Sequence, residues 1–308
     1  MKLTPEQIDD FEQNGCLVIS NFLDAKVVKT LNMEIERLYT TFDIDKHPIT
    51  KFTTEKNGQH IGNKYFLRSS DKISFFFEPD AFDSNGRLTK PIQKSVNKIG
   101  HGLHILDKEF RSITINPDIS QICKQLNFKD PRALQSMIII KQPGIGNEVP
   151  PHTDSEFLYT DPVTCLGFWF ALENCTTNNG CLQFIAGSHK MHNLEKRFVR
   201  DSEMGRTKFV RVKQPSEDWN PTEDDVKEEE FWQDSSKYTN VQVPAGSLVL
   251  IHGNLVHKSE RNNSQTSRNA YVFHVVEAKS NYDELNWLQI PFDNPSGTDN
   301  FSKIYEDI

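Results

Sequence analysis

The chain has 308 residues, of which 36% are hydrophobic and 25% charged, and a formal net charge of −8. That length can bury one large core or two smaller ones, and the acidic balance lacks the basic footprint of a nucleic-acid partner. No run of about 18 apolar residues occurs, so no membrane span is expected, and five cysteines without a C-x-x-C pair exclude a zinc ribbon or a disulfide framework. With no apolar leader in MKLTPEQIDDFEQNG and no peroxisomal address in IYEDI, the expected location is cytoplasmic. The first predicted element is a helix. Thr4 and Gln7 form a capping box, Pro5 suits the first helical position, Ile8 and Phe11 share a face, and Gly15 ends it. Cys16–Ile19 reads as a short strand. Asp24 then caps a longer helix with apolar Val27, Val28, Leu31, Ile35, Leu38 and Phe42 along one face.

Residues 43–64 are polar and irregular, while 65–90 carry Phe75-Phe76-Phe77 and the turn signal Asp83-Ser84-Asn85-Gly86, which suggests a hairpin or a lid. From about 93 to 127 the pattern reads as helical, broken at Asn116-Pro117. The character then changes. Leu134–Lys141, Val163–Leu172, Cys181–Ile185, Val241–Ile251 and Arg268–Glu277 are apolar segments separated by turn residues, the pattern of a β-sandwich or barrel. The acidic stretch 213–237 reads as an exposed loop or short helix between strands. The expectation is one domain over 1–308, mainly β with flanking α-helices. Its helical N-terminal part, about 1–130, packs on a β core of about 131–280.

Chemistry concentrates in a few residues. In Val149-Pro150-Pro151-His152-Thr153-Asp154, an extended backbone would put His152 and Asp154 on one face, so an imidazole and a carboxylate can reach a common ion. His257, after the strand Ser247–Ile251, is the candidate for a third ligand. Two histidines and one carboxylate with three open positions make the facial triad of non-haem iron(II) oxygenases. Taken singly, His152 could be a loop histidine and His257 a strand histidine satisfied by a backbone carbonyl. Arg268 discriminates. It shares a strand face with Ala270 and Val272, and a guanidinium aimed into a core needs an anion, best a carboxylate in a bidentate pair. Glu277 or Glu260 could serve, but a co-substrate carboxylate explains it better.

His152-Thr153-Asp154, His257 and Arg268, with Asn179-Gly180-Cys181-Leu182 leading to Gly187-Ser188-His189 and Pro244-Ala245-Gly246-Ser247 before the distal histidine, resemble the phytanoyl-CoA dioxygenase family over nearly the whole chain. The resemblance implies a double-stranded β-helix (a cupin-like jelly roll) with Fe(2+) in its mouth, 2-oxoglutarate as co-substrate, and O2. It sets 2-oxoglutarate against Lys98, Met137, Trp169, Ser259 and Arg268. The implied reaction hydroxylates a C–H bond of an unidentified substrate, with release of succinate and CO2; a lipid or acyl-CoA-like small molecule is one candidate, and a small metabolite or a modified nucleotide or protein side chain stays open. On its own pattern Lys98 lies in a helix-like segment and is a solvated lysine, whereas Ser259 shares a face with His257 if 255–259 is extended. Ala186 stands where the family usually has proline, and the acidic stretch looks longer than in near relatives, long enough to touch the substrate mouth. His101 and His104 read as packing or surface residues three apart on a helix, His189 as a turn residue, and His252 and His274 as strand residues with no visible partner. The rival functions are a metal-dependent hydrolase using zinc on the same triad and a catalytically silent binding protein. The oligomeric state is not legible.

Overall fold

The computed structural model describes residues 1–44, 50–51, 64–191, 193–201 and 205–305. Helix α1 (Pro5–Asn14) follows its caps: the Thr4 hydroxyl accepts from the Gln7 N–H, the Gln7 side chain answers at Thr4, and Gly15 closes the last turn. Strand β1 (Cys16–Ile19) follows, then α2 (Ala25–Thr41), capped by Asp24 and burying Val28, Leu31, Ile35 and Leu38. The remaining strands are β2 (Ile73–Phe77), β3 (Val96–His101), β4 (Pro131–Lys141), β5 (Val149–His152), β6 (Leu166–Ala171), β7 (Leu182–Phe184), β8 (Lys196–Asp201), β9 (Arg206–Arg211), β10 (Thr239–Val241), β11 (Leu248–His252), β12 (His257–Ser259), β13 (Arg268–Glu277) and β14 (Ser302–Lys303).

The strands form an antiparallel sheet ordered β1-β11-β6-β13-β4-β3-β2, with β14 added to β4, and a second sheet ordered β10-β7-β12-β5. Strands β8 and β9 make a separate ribbon. Period-two alternation gives the large sheet two different faces. Phe168, Phe170, Tyr271 and Phe273 pack with Leu31, Ile35, Leu38, Phe110, Ile119 and Ile122, which belong to α2 and to the helices Lys108–Thr114 and Pro117–Gln125. On the other face Met137, Trp169, Val249, Ala270 and Val272 pack with Leu182, Phe184 and Val241 of the second sheet. With both faces covered, the central strands read as continuous apolar runs. This is the expected mainly β architecture with flanking helices, a jelly roll. No helix among the described residues is long and apolar enough to cross a membrane.

Two expectations need correction. The region 93–127 is not helical throughout, because Val96–His101 is β3, hydrogen-bonded between β2 and β4 with Lys98 opposite Ile139. Val96 and Ile99 sit three apart and mimic a helical face, but tertiary strand pairing overrides that local signal. The first 130 residues are likewise not only helical, since they contribute β1, β2 and β3 to the large sheet. The Phe75-Phe76-Phe77 run is β2, and most of the irregular stretch 43–64 lies outside the described residues.

Candidate metal centre and its cavity

Strands β5 and β12 lie side by side with His152 opposite His257, which brings the imidazole centroids to 4.2 Å. In each ring Nδ1 lies 2.9 Å from a backbone carbonyl two residues earlier, that of Pro150 or Leu255. A carbonyl only accepts, so Nδ1 carries the proton and Nε2 presents its lone pair, the form a metal requires. Thus the backbone-carbonyl partner that would have made His257 an ordinary strand histidine also sets its tautomer. Asp154 Oδ1 is 3.9 Å from His152 Nε2 and 3.8 Å from His257 Nε2, and one ligand atom from each residue lies within 4.8 Å of the others. These spacings are too long for hydrogen bonds and suit groups that converge on a shared point. The backbone stays extended only through Thr153 (φ −119°, ψ 143°); Asp154 opens a one-turn helix, Asp154–Phe157. One extended residue suffices to bring the His152 and Asp154 side chains together.

Side-chain exposure is 21% at His152, 12% at Asp154 and 9% at His257, so the cluster is largely withdrawn from solvent. Burial, with His257 alongside, pulls the His152 imidazole down to about 3 and keeps it neutral at neutral pH. Burial pushes the Asp154 carboxyl up, but His274 and His257 against it outweigh that and hold it below the usual carboxylate range. The other oxygen, Oδ2, lies 3.2 Å from His274 Nε2, so His274 has a partner that the sequence reading missed. The signal was available, because His274 continues the alternation Arg268, Ala270, Val272 along β13.

A cavity of about 720 Å³ opens beside the cluster, and Lys98, Met137, Trp169, Ser259 and Arg268 all line it. Arg268 is only 2% exposed, and its Nε and Nη1 are buried without a hydrogen-bond partner. Neither suggested carboxylate reaches it. Glu277 accepts from the backbone N–H groups of Lys129 and Asp130, and Glu260 pairs with Lys258 at 2.8 Å. Trp169 lies under the guanidinium at 5.6 Å. Lys141, opposite Arg268 in register, donates to the carbonyls of Asn147 and Glu260 at 2.5 and 2.7 Å. Two basic side chains therefore flank this end of the cavity, and burial holds the Lys141 ammonium well below its ordinary value. Gly180 (φ 78°) is required there, since a Cβ would come within 2.4 Å of the Glu260 carbonyl and 2.7 Å of Lys141. Lys98 is not a solvated helix residue: it projects from β3 into the cavity, and burial lowers its ammonium to about 7.

His101 and His104 are not on one helix, and only His104 is purely a packing residue, since His101 also lines the cavity. His101 ends β3 and bonds Ser69 at 2.7 Å, and His104 sits in the turn Leu103–Leu106 and bonds Ser136 at 2.7 Å. His189 bonds the Glu12 carbonyl at 3.1 Å, ordering its loop, and His252 accepts from the Asn254 N–H. The acidic stretch does contain a helix, Glu223–Gln233. Its surroundings also reach the site, because Trp219, Glu229 and Trp232 line the cavity beside Phe157, Phe198 and Phe209. Lys196 bridges this wall, 3.1 Å from Glu229 and 4.0 Å from the buried Glu156. In β2 the alternation divides the phenylalanines, with Phe75 and Phe77 in the outer core and Phe76 on the cavity.

A jelly roll that gathers two histidines and one carboxylate at the mouth of its barrel defines the class of non-haem metal sites with a facial triad. The phytanoyl-CoA dioxygenase pattern matches residues 11–270. The "Phytanoyl-CoA dioxygenase domain-containing protein 1 homolog" of Caenorhabditis elegans is 42% identical over 287 residues, covering 91% of this chain and 94% of its own. The Arabidopsis thaliana "Phytanoyl-CoA dioxygenase" is 39% identical over 288 residues, covering 93% and 94%. The chain belongs to the phytanoyl-CoA dioxygenase family, a family of oxidoreductases. Among solved structures, the non-heme alpha ketoglutarate dependent carbocyclase SnoK from nogalamycin biosynthesis shares the fold at TM-score 0.60 and 20% identity, over 91% of this chain and 86% of that one. EctD from S. alaskensis, solved with 2-oxoglutarate and 5-hydroxyectoine, does so at TM-score 0.58 and 16% identity, over 91% and 78%.

Proposed function

We propose that the protein is an Fe(II)- and 2-oxoglutarate-dependent dioxygenase that hydroxylates a C–H bond of a small-molecule substrate. His152, Asp154 and His257 hold the iron, and Arg268 anchors the far carboxylate of 2-oxoglutarate. The observation that carries this reading is the unpartnered Arg268 guanidinium in the same cavity as the three converging ligands. The residues fit the cofactors. Two imidazole Nε2 lone pairs and one carboxylate suit iron(II) with open positions, and a buried planar donor fork suits a carboxylate. A zinc hydrolase would use the triad but would leave Arg268 without a purpose, and a silent binding protein would have no need of the intact cluster.

Iron bound there supplies O2 activation coupled to oxidative decarboxylation of 2-oxoglutarate, yielding succinate, CO2 and hydroxylated product. The protein's own residues bind and shield. Arg268 neutralises and orients the co-substrate, with Lys98, Met137, Trp169 and Ser259 as its remaining contacts. The aromatic wall of Phe157, Phe198 and Trp219 keeps bulk water from the reacting carbon. The walls mix apolar and charged groups, so they accommodate a lipid-like body without fixing its identity. On this reading residues 1–308 form one catalytic domain. The five cysteines are all buried and unpaired, which supports a reducing compartment such as the cytoplasm.

Turnover tests the proposal. With Fe(II), 2-oxoglutarate and O2, succinate should form and rise with the correct substrate, and His152→Ala should abolish it. Succinate formation unchanged in His152→Ala would remove the triad.

A further inference from the structure

We infer that His274, oriented by Gln135, is a positioning residue that divides the work of the Asp154 carboxylate, holding Oδ2 on the protein and leaving Oδ1 for the metal. The inference rests on the metal-centre reading above and adds residues outside the triad. Oδ1 is the oxygen that faces both ligand imidazoles, and Oδ2 is the one 3.2 Å from His274 Nε2. A carboxylate only accepts, so the proton in that contact belongs to His274.

The other side of the ring shows how the proton is kept there. Gln135 lies directly opposite His274 in the β13–β4 register, and its Nε2 is 3.2 Å from His274 Nδ1. An amide N–H donating to Nδ1 leaves the ring's one proton on Nε2, aimed at Asp154. Were the amide turned, its carbonyl would demand a proton on Nδ1 as well, and Nε2 would still be the donor to Oδ2. The direction of the hydrogen bond to Asp154 is therefore independent of how the Gln135 amide is turned. His274 is also not a fourth ligand, because its Nε2 is committed to Oδ2.

The backbone makes room for this contact. Gly167 sits opposite His274 on β6. A Cβ there would lie 3.3 Å from Asp154 Oδ2, a tight contact, and at ordinary contact distance, 3.6 Å, from His274 Cδ2. A hydrogen bond on Oδ2 engages one of its lone pairs and holds the carboxylate plane, which favours Oδ1 over bidentate binding. A carboxylate held this way would present a single oxygen to a metal held by His152, Asp154 and His257. Side chains behind the ligands have this orienting role in metal sites generally.

Anaerobic titration of the metal-free protein with Co(II), followed by its d–d absorption, tests the inference without turnover. His274→Leu is expected to weaken Co(II) binding by roughly 10–100-fold and to lower the band intensity as Asp154 becomes bidentate. His274→Gln, which keeps an N–H donor, is expected to recover much of the affinity, and Gln135→Leu to lie between. Thermal midpoints of the metal-free variants separate folding from binding. Wild-type affinity and an unchanged band in His274→Leu, or an equal loss in His274→Gln, would overturn the inference. Should His274→Leu fail to fold, Gln135→Leu carries the test, and unchanged binding there overturns it. A wild-type protein that takes up no Co(II) is a different failure, that of the metal centre itself.

Discussion

Arg268 is 2% exposed, and the Nε and Nη1 of its guanidinium are buried without a hydrogen-bond partner. A charge-assisted hydrogen bond to a buried group contributes about 1.5–3 kcal/mol, so removing the fork should cost roughly 10–150-fold in affinity for its anion. Arg268→Ala is expected to raise the KM for 2-oxoglutarate by that order with a smaller change in kcat. Arg268→Lys should recover little, because a point charge cannot replace the bidentate fork. Initial rates against 2-oxoglutarate concentration decide it, and an unchanged KM would remove the anchor. Arg268 was legible because β alternation put a charge with Ala270 and Val272. Lys98 was not, because nothing local in Asn97-Lys98-Ile99-Gly100 announces a strand. Its place in the cavity depends on β4 running alongside.

At the scale of elements, the cavity is held open by what covers the outside of the large sheet. Leu31 and Ile35 of α2 are 1% exposed and pack behind β6 and β13. Leu31→Ala should therefore cost about 2–5 kcal/mol in denaturant unfolding, with the site intact in the folded fraction; a cost below 1 kcal/mol would mean that α2 is not part of the core. Gly180→Ala should act the other way. Its strain falls on the Lys141 and Glu260 backbone, beside Arg268, so it should weaken 2-oxoglutarate binding out of proportion to its effect on stability. The caps of α1 and α2 could be read letter by letter, since their partners lie three residues away. Of the second sheet only β7 was legible, within Cys181–Ile185, and how β5, β7, β10 and β12 pair was not, because at three or four residues each they are too short for periodicity to speak. That the acidic stretch reaches the substrate mouth was an expectation from its length; that Trp219 and Trp232 are the residues that do so was not legible, because local polarity marks the segment as surface.

Across the whole molecule, buried neutral histidines link folding to pH. His104 is fully buried, burial lowers its imidazole to about 4, and Ser136 holds its Nδ1. The unfolded chain titrates near the ordinary value of about 6.5. Between about pH 4 and 6.5 the unfolded state therefore binds the proton and the folded state does not, so stability falls as pH falls through this window. His104→Gln should reduce that slope by up to about 1.4 kcal/mol per pH unit, measured by urea unfolding of metal-free protein at stepped pH. A slope identical to wild type would show that His104 does not carry it. The metal should sharpen the same trend, since protons compete with it for His152 and His257.

On the proposed function, three side chains from β5, the turn after it and β12 hold one iron(II) in front of a guanidinium that receives a dicarboxylic acid. Anaerobic titration of the iron-loaded protein with 2-oxoglutarate reads this directly, through the visible charge-transfer absorption of a chelated keto acid. The expected result is one band per iron in the wild type, none in His152→Ala, and in Arg268→Ala the same band reached only at much higher 2-oxoglutarate. A wild-type protein that gives no band, or a His152→Ala variant that gives the full one, would contradict it.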